Sequence, residues 1–83
     1  MKIYNMPRGS GKTRYLASLN MPIIVSTKAM KNETELQGAK EVYTVKEFLK
    51  LKKKPSIVCV DELELVLGRL LDCCIDSATI TER

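Results

Sequence analysis

Residues 6–13 read MPRGSGKT, Met6-Pro7-Arg8-Gly9-Ser10-Gly11-Lys12-Thr13. They lie between a strand-like pentamer, KIYNM (2–6), and a helical segment, SGKTRYLASL (10–19), with Tyr15, Leu16 and Leu19 on one face. A strand, a glycine-bearing loop and a helix in that order are what gives Gly-x4-Gly-Lys-Ser/Thr a chemical meaning. Gly9 and Gly11 let the backbone curl so that its N–H groups point inward at phosphate oxygens. The helix opening near Gly11 adds the positive end of its dipole. Lys12 is placed to reach the β- and γ-phosphates and Thr13 to set its hydroxyl on Mg²⁺, while Arg8 and Ser10 fill the loop. Met6 stands where the pattern has its first glycine. That position is at the strand end, and the close approach to phosphate belongs to Gly9 and Gly11, so Met6 reads as a tolerated variant. The competing reading is an ordinary turn.

Outward from the loop, the chain alternates. PIIVS (22–26) is a continuous apolar run, typical of a strand buried on both faces. TKAMKNETELQ (27–37) is weakly helical and ends at Gly38. EVYTV (41–45) is a further strand. Thr44 and Glu47 have capping-box spacing, which predicts a helix from there to about Lys52, ended by Lys53-Lys54-Pro55. SIVCVD (56–61) is the strongest strand signal. Leu63, Val66, Leu67, Leu70 and Cys74 follow at helical spacing, so 62–73 is an amphipathic helix with Gly68 as a weak point. ATIT (78–81) is a short terminal strand. The order β-α-β-α-β-α-β-α-β predicts an α/β fold: a three-layer α-β-α domain over 1–83 with a mainly parallel sheet of about five strands.

Ile57-Val58-Cys59-Val60 runs into Asp61-Glu62 at a strand end. Such a pair can hold the water shell of a magnesium ion (Asp61) and orient or deprotonate an attacking water (Glu62). It is equally the acidic start of a helix, where negative charge suits the dipole. Thr79 and Thr81 are candidates for sensing a γ-phosphate, or simply strand-forming threonines. Lys50, Lys52, Lys53 and Lys54 suggest either a nucleic-acid track or a helix end whose charge complements the dipole. With only Tyr4, Tyr15, Tyr43 and Phe48 as aromatics, a base-stacking platform has little support.

Composition narrows the classes. With 45% hydrophobic residues the 83-residue chain is globular, but it can bury only a modest core, so a ligand, metal or partner is expected to help stabilise it. No apolar run reaches membrane-spanning length, and no signal-peptide pattern is present. Residues 1–56 carry 12 basic and 4 acidic side chains, net +8, and residues 57–83 carry 2 and 6, net −4. A basic half suits phosphate-rich partners. The three cysteines, Cys59, Cys73 and Cys74, form no CxxC and argue against a zinc site, reading instead as reduced thiols of a cytosolic protein, and the absence of histidine excludes His-based catalysis.

The segments RGSGKT, PIIVST, YTVKEFL, IVCVDE and ATIT, in that order, resemble the first half of a RecA-like P-loop NTPase, the ATPase core of helicases and phage terminase large subunits. The glycine-rich and acidic motifs then correspond to Walker A and Walker B, respectively. The resemblance implies binding of ATP, or another NTP, with Mg²⁺. It gives Arg8, Gly9, Ser10, Gly11, Lys12 and Thr13 to the nucleotide, Thr13 and Asp61 to magnesium, and catalytic roles to Lys12 and Glu62. It also implies a cytoplasmic phage or mobile-element protein. The later strands and second motor domain of helicases have no counterpart before Arg83, so the expectation is a minimal P-loop protein whose hydrolysis is weak or partner-dependent. In such sheets strand 78–81 inserts beside strand 2–6, leaving the far side of 2–6 as an edge, so a homo-oligomer or protein partner is expected, with Arg69 or Arg83 of a neighbour able to act in trans. The alternative is a non-enzymatic regulator of a host or phage nucleic-acid machine that keeps the fold. No insertion is long enough for the lid and acceptor pocket of a small-molecule kinase, and Glu62 after Asp61 favours hydrolysis over transfer.

Overall fold

The structure, a computed structural model, describes residues 3–4, 11–79 and 81. Its elements are α1 (Lys12–Ser18), β1 (Ile23–Val25), α2 (Lys28–Leu36), β2 (Val42–Thr44), α3 (Val45–Leu49), β3 (Cys59–Val60) and α4 (Leu63–Leu71). The fold is α/β, with an open parallel sheet of three strands in the order β2-β1-β3. Ile23, Ile24 and Val25 pair with Val42, Tyr43 and Thr44, and Ile23 and Ile24 pair with Cys59 and Val60.

β1 lies at the centre and all three of its residues are buried, as its unbroken apolar run demands. Successive strand side chains face opposite ways. Ile23 and Val25 accordingly share one face and cluster with Val42, over which Leu16 and Ala17 of α1 and Met30 of α2 pack. α3 and α4 pack on each other and on β1, and Val66 of α4 is buried.

The expected strands shrink for identifiable reasons. SIVCVD pairs only at Cys59 and Val60. Pro22 has no N–H to donate, so the ladder begins where the Cys59 N–H donates to the Pro22 carbonyl (2.8 Å), and Ile57, before that point, is 64% exposed. Of the expected terminal strand 78–81, Ala78, Thr79 and Thr81 are exposed and belong to no strand, and Ile80 lies outside the described residues. Of strand 2–6, Ile3 and Tyr4 are described and form no strand; the rest lies outside the described residues. Tyr4 nonetheless meets α1, its ring edge-on to Tyr15 with centroids 5.1 Å apart.

Two helices start on the side chains expected or available to cap them. Thr44 Oγ1 accepts the Glu47 N–H (3.3 Å) while Glu47 Oε1 accepts the Thr44 N–H (3.0 Å), completing the capping box of α3. Thr27 Oγ1 accepts the Met30 N–H (3.2 Å) and starts α2. The glycine in α4 has a packing reason: a Cβ on residue 68 would stand 3.0 Å from the Cys73 carbonyl oxygen, where the chain folds back and the Cys73 N–H donates to the Gly68 carbonyl.

Candidate functional site

In a parallel sheet with helical crossovers, the carboxyl ends of the strands converge on one side, and ligands bind there. Here that side gathers Ser26 and Thr27 after β1, Thr44 at the end of β2 and Asp61-Glu62 after β3. The first turn of α1 is held to the same side. Gly11 precedes α1 at φ 85°, the left-handed conformation that glycine adopts without steric cost. Lys12 and Thr13 follow immediately.

Two contacts tie the two sequence motifs together across about fifty residues of chain. Thr13 Oγ1 donates to Asp61 Oδ2 at 3.0 Å. Lys12 Nζ forms an ion pair with Glu62 Oε1. Asp61 is 4% exposed, with its backbone N–H donating to the Ile24 carbonyl at 3.1 Å, so β3 fixes both the residue and its carboxylate. Glu62 sits in the left-handed region at φ 60°, ψ 69° and opens α4 without a side-chain cap. Gly11, Lys12, Thr13, Asp61 and Glu62 form one wall of a cavity of about 780 Å³. The structure therefore brings five of the eight sequence-predicted site residues to one place; Arg8, Gly9 and Ser10, with Met6, lie outside the described residues. Thr79 and Thr81 are not among those lining the cavity, and both are exposed.

The opposite wall was not anticipated. It is made by Arg14 of α1 and by Met30, Glu33, Thr34 and Gln37 on and just after α2. Positions 30, 33, 34 and 37 follow the i, i+3, i+4, i+7 pattern of one helix face, so the signal was legible in a segment read as only weakly helical. Thr34 is 1% exposed, and its buried hydroxyl donates to the Met30 carbonyl (2.7 Å). Arg14 Nε donates to Gln37 Oε1 at 3.4 Å and links α1 to the end of α2.

Away from the cavity lining, Glu47 accepts from Lys31 Nζ at 3.0 Å, with Lys28 3.9 Å away. The Thr44 backbone N–H, then Lys31 and Lys28, hold its carboxyl down at about 2. Lys54 Nζ donates to the carbonyls of Leu51 (3.1 Å) and Leu49 (3.4 Å) and lies 5.8 Å from the Phe48 ring centroid. That lysine closes the end of α3 as a dipole complement does, while Lys50, Lys52 and Lys53 are exposed.

The donor set facing the cavity suits a small hard cation. Thr13 and Asp61 offer oxygen ligands 3.0 Å apart, the kind Mg²⁺ takes when phosphate oxygens and waters complete its shell. The described residues contain no group of three or more His, Cys, Asp or Glu able to form an all-protein cage. Among them, no helix is long and apolar enough to cross a membrane.

Comparison of the chain with protein-family models, with curated proteins and with solved structures finds no match.

Proposed function

We propose that the chain is a minimal P-loop nucleotide-binding domain that binds a nucleoside triphosphate such as ATP with Mg²⁺, with weak or partner-dependent hydrolysis. The carrying observation is the pair of cross-chain contacts, Lys12 with Glu62 and Thr13 with Asp61, at the carboxyl end of a parallel sheet and on one cavity wall. The pairing of the lysine with the glutamate and of the threonine with the aspartate supports reading the Lys12–Thr13 turn and the acidic strand end as parts of one site.

On nucleotide binding, Lys12 exchanges the Glu62 carboxylate for the terminal phosphate oxygens. Glu62, released, takes the proton of the attacking water at a carboxylate oxygen. Thr13 and Asp61 would hold Mg²⁺, which would supply positive charge against the phosphate oxygens. Arg8, Gly9, Ser10 and Gly11 supply the loop around the phosphates.

A second reading is a non-enzymatic module that regulates a nucleic-acid machine. It draws on the exposed apolar side chains of α4, Leu65 (52%), Leu70 (48%) and Leu71 (60%), which offer a protein partner or a second copy a surface. Titration calorimetry of ATP·Mg against the parent and Lys12→Ala, with phosphate release followed alongside, tests the first reading and separates the two. The parent is expected to bind and Lys12→Ala to lose binding at least tenfold. Binding without turnover, with and without DNA, favours the regulator. Equal binding by both proteins sinks the site.

A further inference from the structure

Beyond Lys12, Thr13, Asp61 and Glu62, the cavity's lining on and beside α2 carries a different chemistry. Glu33 presents a carboxylate, which only accepts hydrogen bonds. One helical turn on, Gln37 already uses Oε1 to accept from Arg14 Nε, so its Nε2 hydrogens remain to donate. Met30 lines the same wall with a thioether, a side chain suited to the face of an aromatic ring. Ser26 Oγ donates to its sulfur at 3.0 Å and so orients it. Arg14, the residue after Thr13, joins this wall to the phosphate-binding turn.

Building on the nucleotide reading above, we propose that this wall takes the base and that the base is guanine. Guanine's edge presents two adjacent donors, N1–H and the N2 amino group, beside one acceptor, O6. A carboxylate accepts from both donors at once, and an amide N–H beside it donates to O6. Glu33 and Gln37, four residues apart on one helix face, supply that acceptor-and-donor pattern. Adenine presents an acceptor, N1, where guanine presents N1–H. Against Glu33 it would set a lone pair facing a negative oxygen, leaving both groups unpaired. A pairing of this bidentate kind discriminates between bases by about ten- to a hundredfold.

The test is calorimetric titration of the whole chain with GDP·Mg, ADP·Mg and inorganic tripolyphosphate·Mg, repeated on Glu33→Gln. Glu33 is exposed, and its backbone carbonyl, the one that Gln37 N–H uses at 3.2 Å, is unchanged by the substitution; the melting midpoint of the variant checks that it folds. GDP is expected to bind the parent at least tenfold tighter than ADP, Glu33→Gln to erase most of that gap, and tripolyphosphate to bind parent and variant alike. Equal affinities for GDP and ADP, tighter ADP, or a guanine preference that survives Glu33→Gln overturns the base assignment and leaves the nucleotide reading standing. No binding of any of the three by the parent overturns that reading and this one together.

Discussion

At the scale of the residue, Glu62 shows most directly what the proposed site costs the fold. A non-glycine residue in the left-handed region carries a penalty of about 1–2 kcal/mol, and Glu62 occupies it at φ 60°. It also leaves α4 without the side-chain cap that Ser, Asp or Asn would supply, worth about 1 kcal/mol. Against this stands the ion pair with Lys12. Its side chains are 31% and 37% exposed, so it contributes only ~0–1 kcal/mol. Strain outweighs stabilisation, as happens where the position of a functional group is what the backbone provides. Glu62→Asn, which tolerates the left-handed region, is therefore expected to match or exceed the parent's stability by up to about 1 kcal/mol in urea unfolding while losing hydrolysis. Glu62→Gln is expected to bind nucleotide as the parent does and release no phosphate. If it releases phosphate at the parent's rate, Glu62 only starts a helix.

At the scale of the element, α3 is the best-specified segment, and its chemistry gives a pH signature. Glu47 is pinned by the Thr44 N–H and by Lys31 and Lys28, and its carboxyl is lowered from 4.5 to about 2. A depressed carboxyl stabilises the folded state above its unfolded value and loses that effect as pH falls through its folded value. The urea midpoint is thus expected to fall between pH about 4.5 and about 2, and Glu47→Gln to flatten that stretch of the profile; a parallel decline in both proteins would assign it to other carboxylates. Thr44→Ala removes the hydroxyl acceptor of the same box and is expected to cost roughly 1 kcal/mol at neutral pH. This capping box was readable in four letters because its bonds are local. So was β1, because a central parallel strand has no polar face, and so were Asp61 and Glu62, because a strand end fixes where they stand. Other features depend on partners distant in sequence. The ladder of β3 is cut short by Pro22, thirty-odd residues earlier, and no property of SIVCVD itself says so. The cavity face of α2 was visible as a spacing, yet Glu33 and Gln37 carry no meaning until α1 lies opposite them. Thr79 and Thr81 were read as γ-phosphate sensors or as strand-forming threonines, and strand propensity is a statement about packing context that their exposed surroundings do not supply.

At the scale of the whole molecule, the balance between core and ligand decides how the protein should respond to nucleotide. Among the described residues the buried hydrophobics are Ile23, Ile24, Val25, Val42 and Val66, while Leu36 is 86% exposed, Ile57 64% and Leu71 60%. So small a core leaves little stability in reserve. The proposed ligand would touch α1 through Lys12 and Thr13 and the β3–α4 junction through Asp61 and Glu62, segments 48 and 50 residues apart in the chain. It would bind the folded state alone, since nothing holds these residues together in the unfolded chain. At 100 times its Kd such a ligand adds about 2.7 kcal/mol. For a domain of this size 1 kcal/mol moves Tm by about 4–8 °C, so the melting temperature should rise by roughly 10–20 °C. Differential scanning calorimetry with millimolar nucleotide and Mg²⁺ measures this. Lys12→Ala is expected to lose most of the rise and Glu62→Gln to keep it, because the first removes the cation facing the phosphates and the second only a proton acceptor. A parent protein whose Tm stays fixed at millimolar nucleotide, whatever the base, would show that MPRGSGKT is a turn and that the Lys12–Glu62 and Thr13–Asp61 contacts only hold α1 to the sheet.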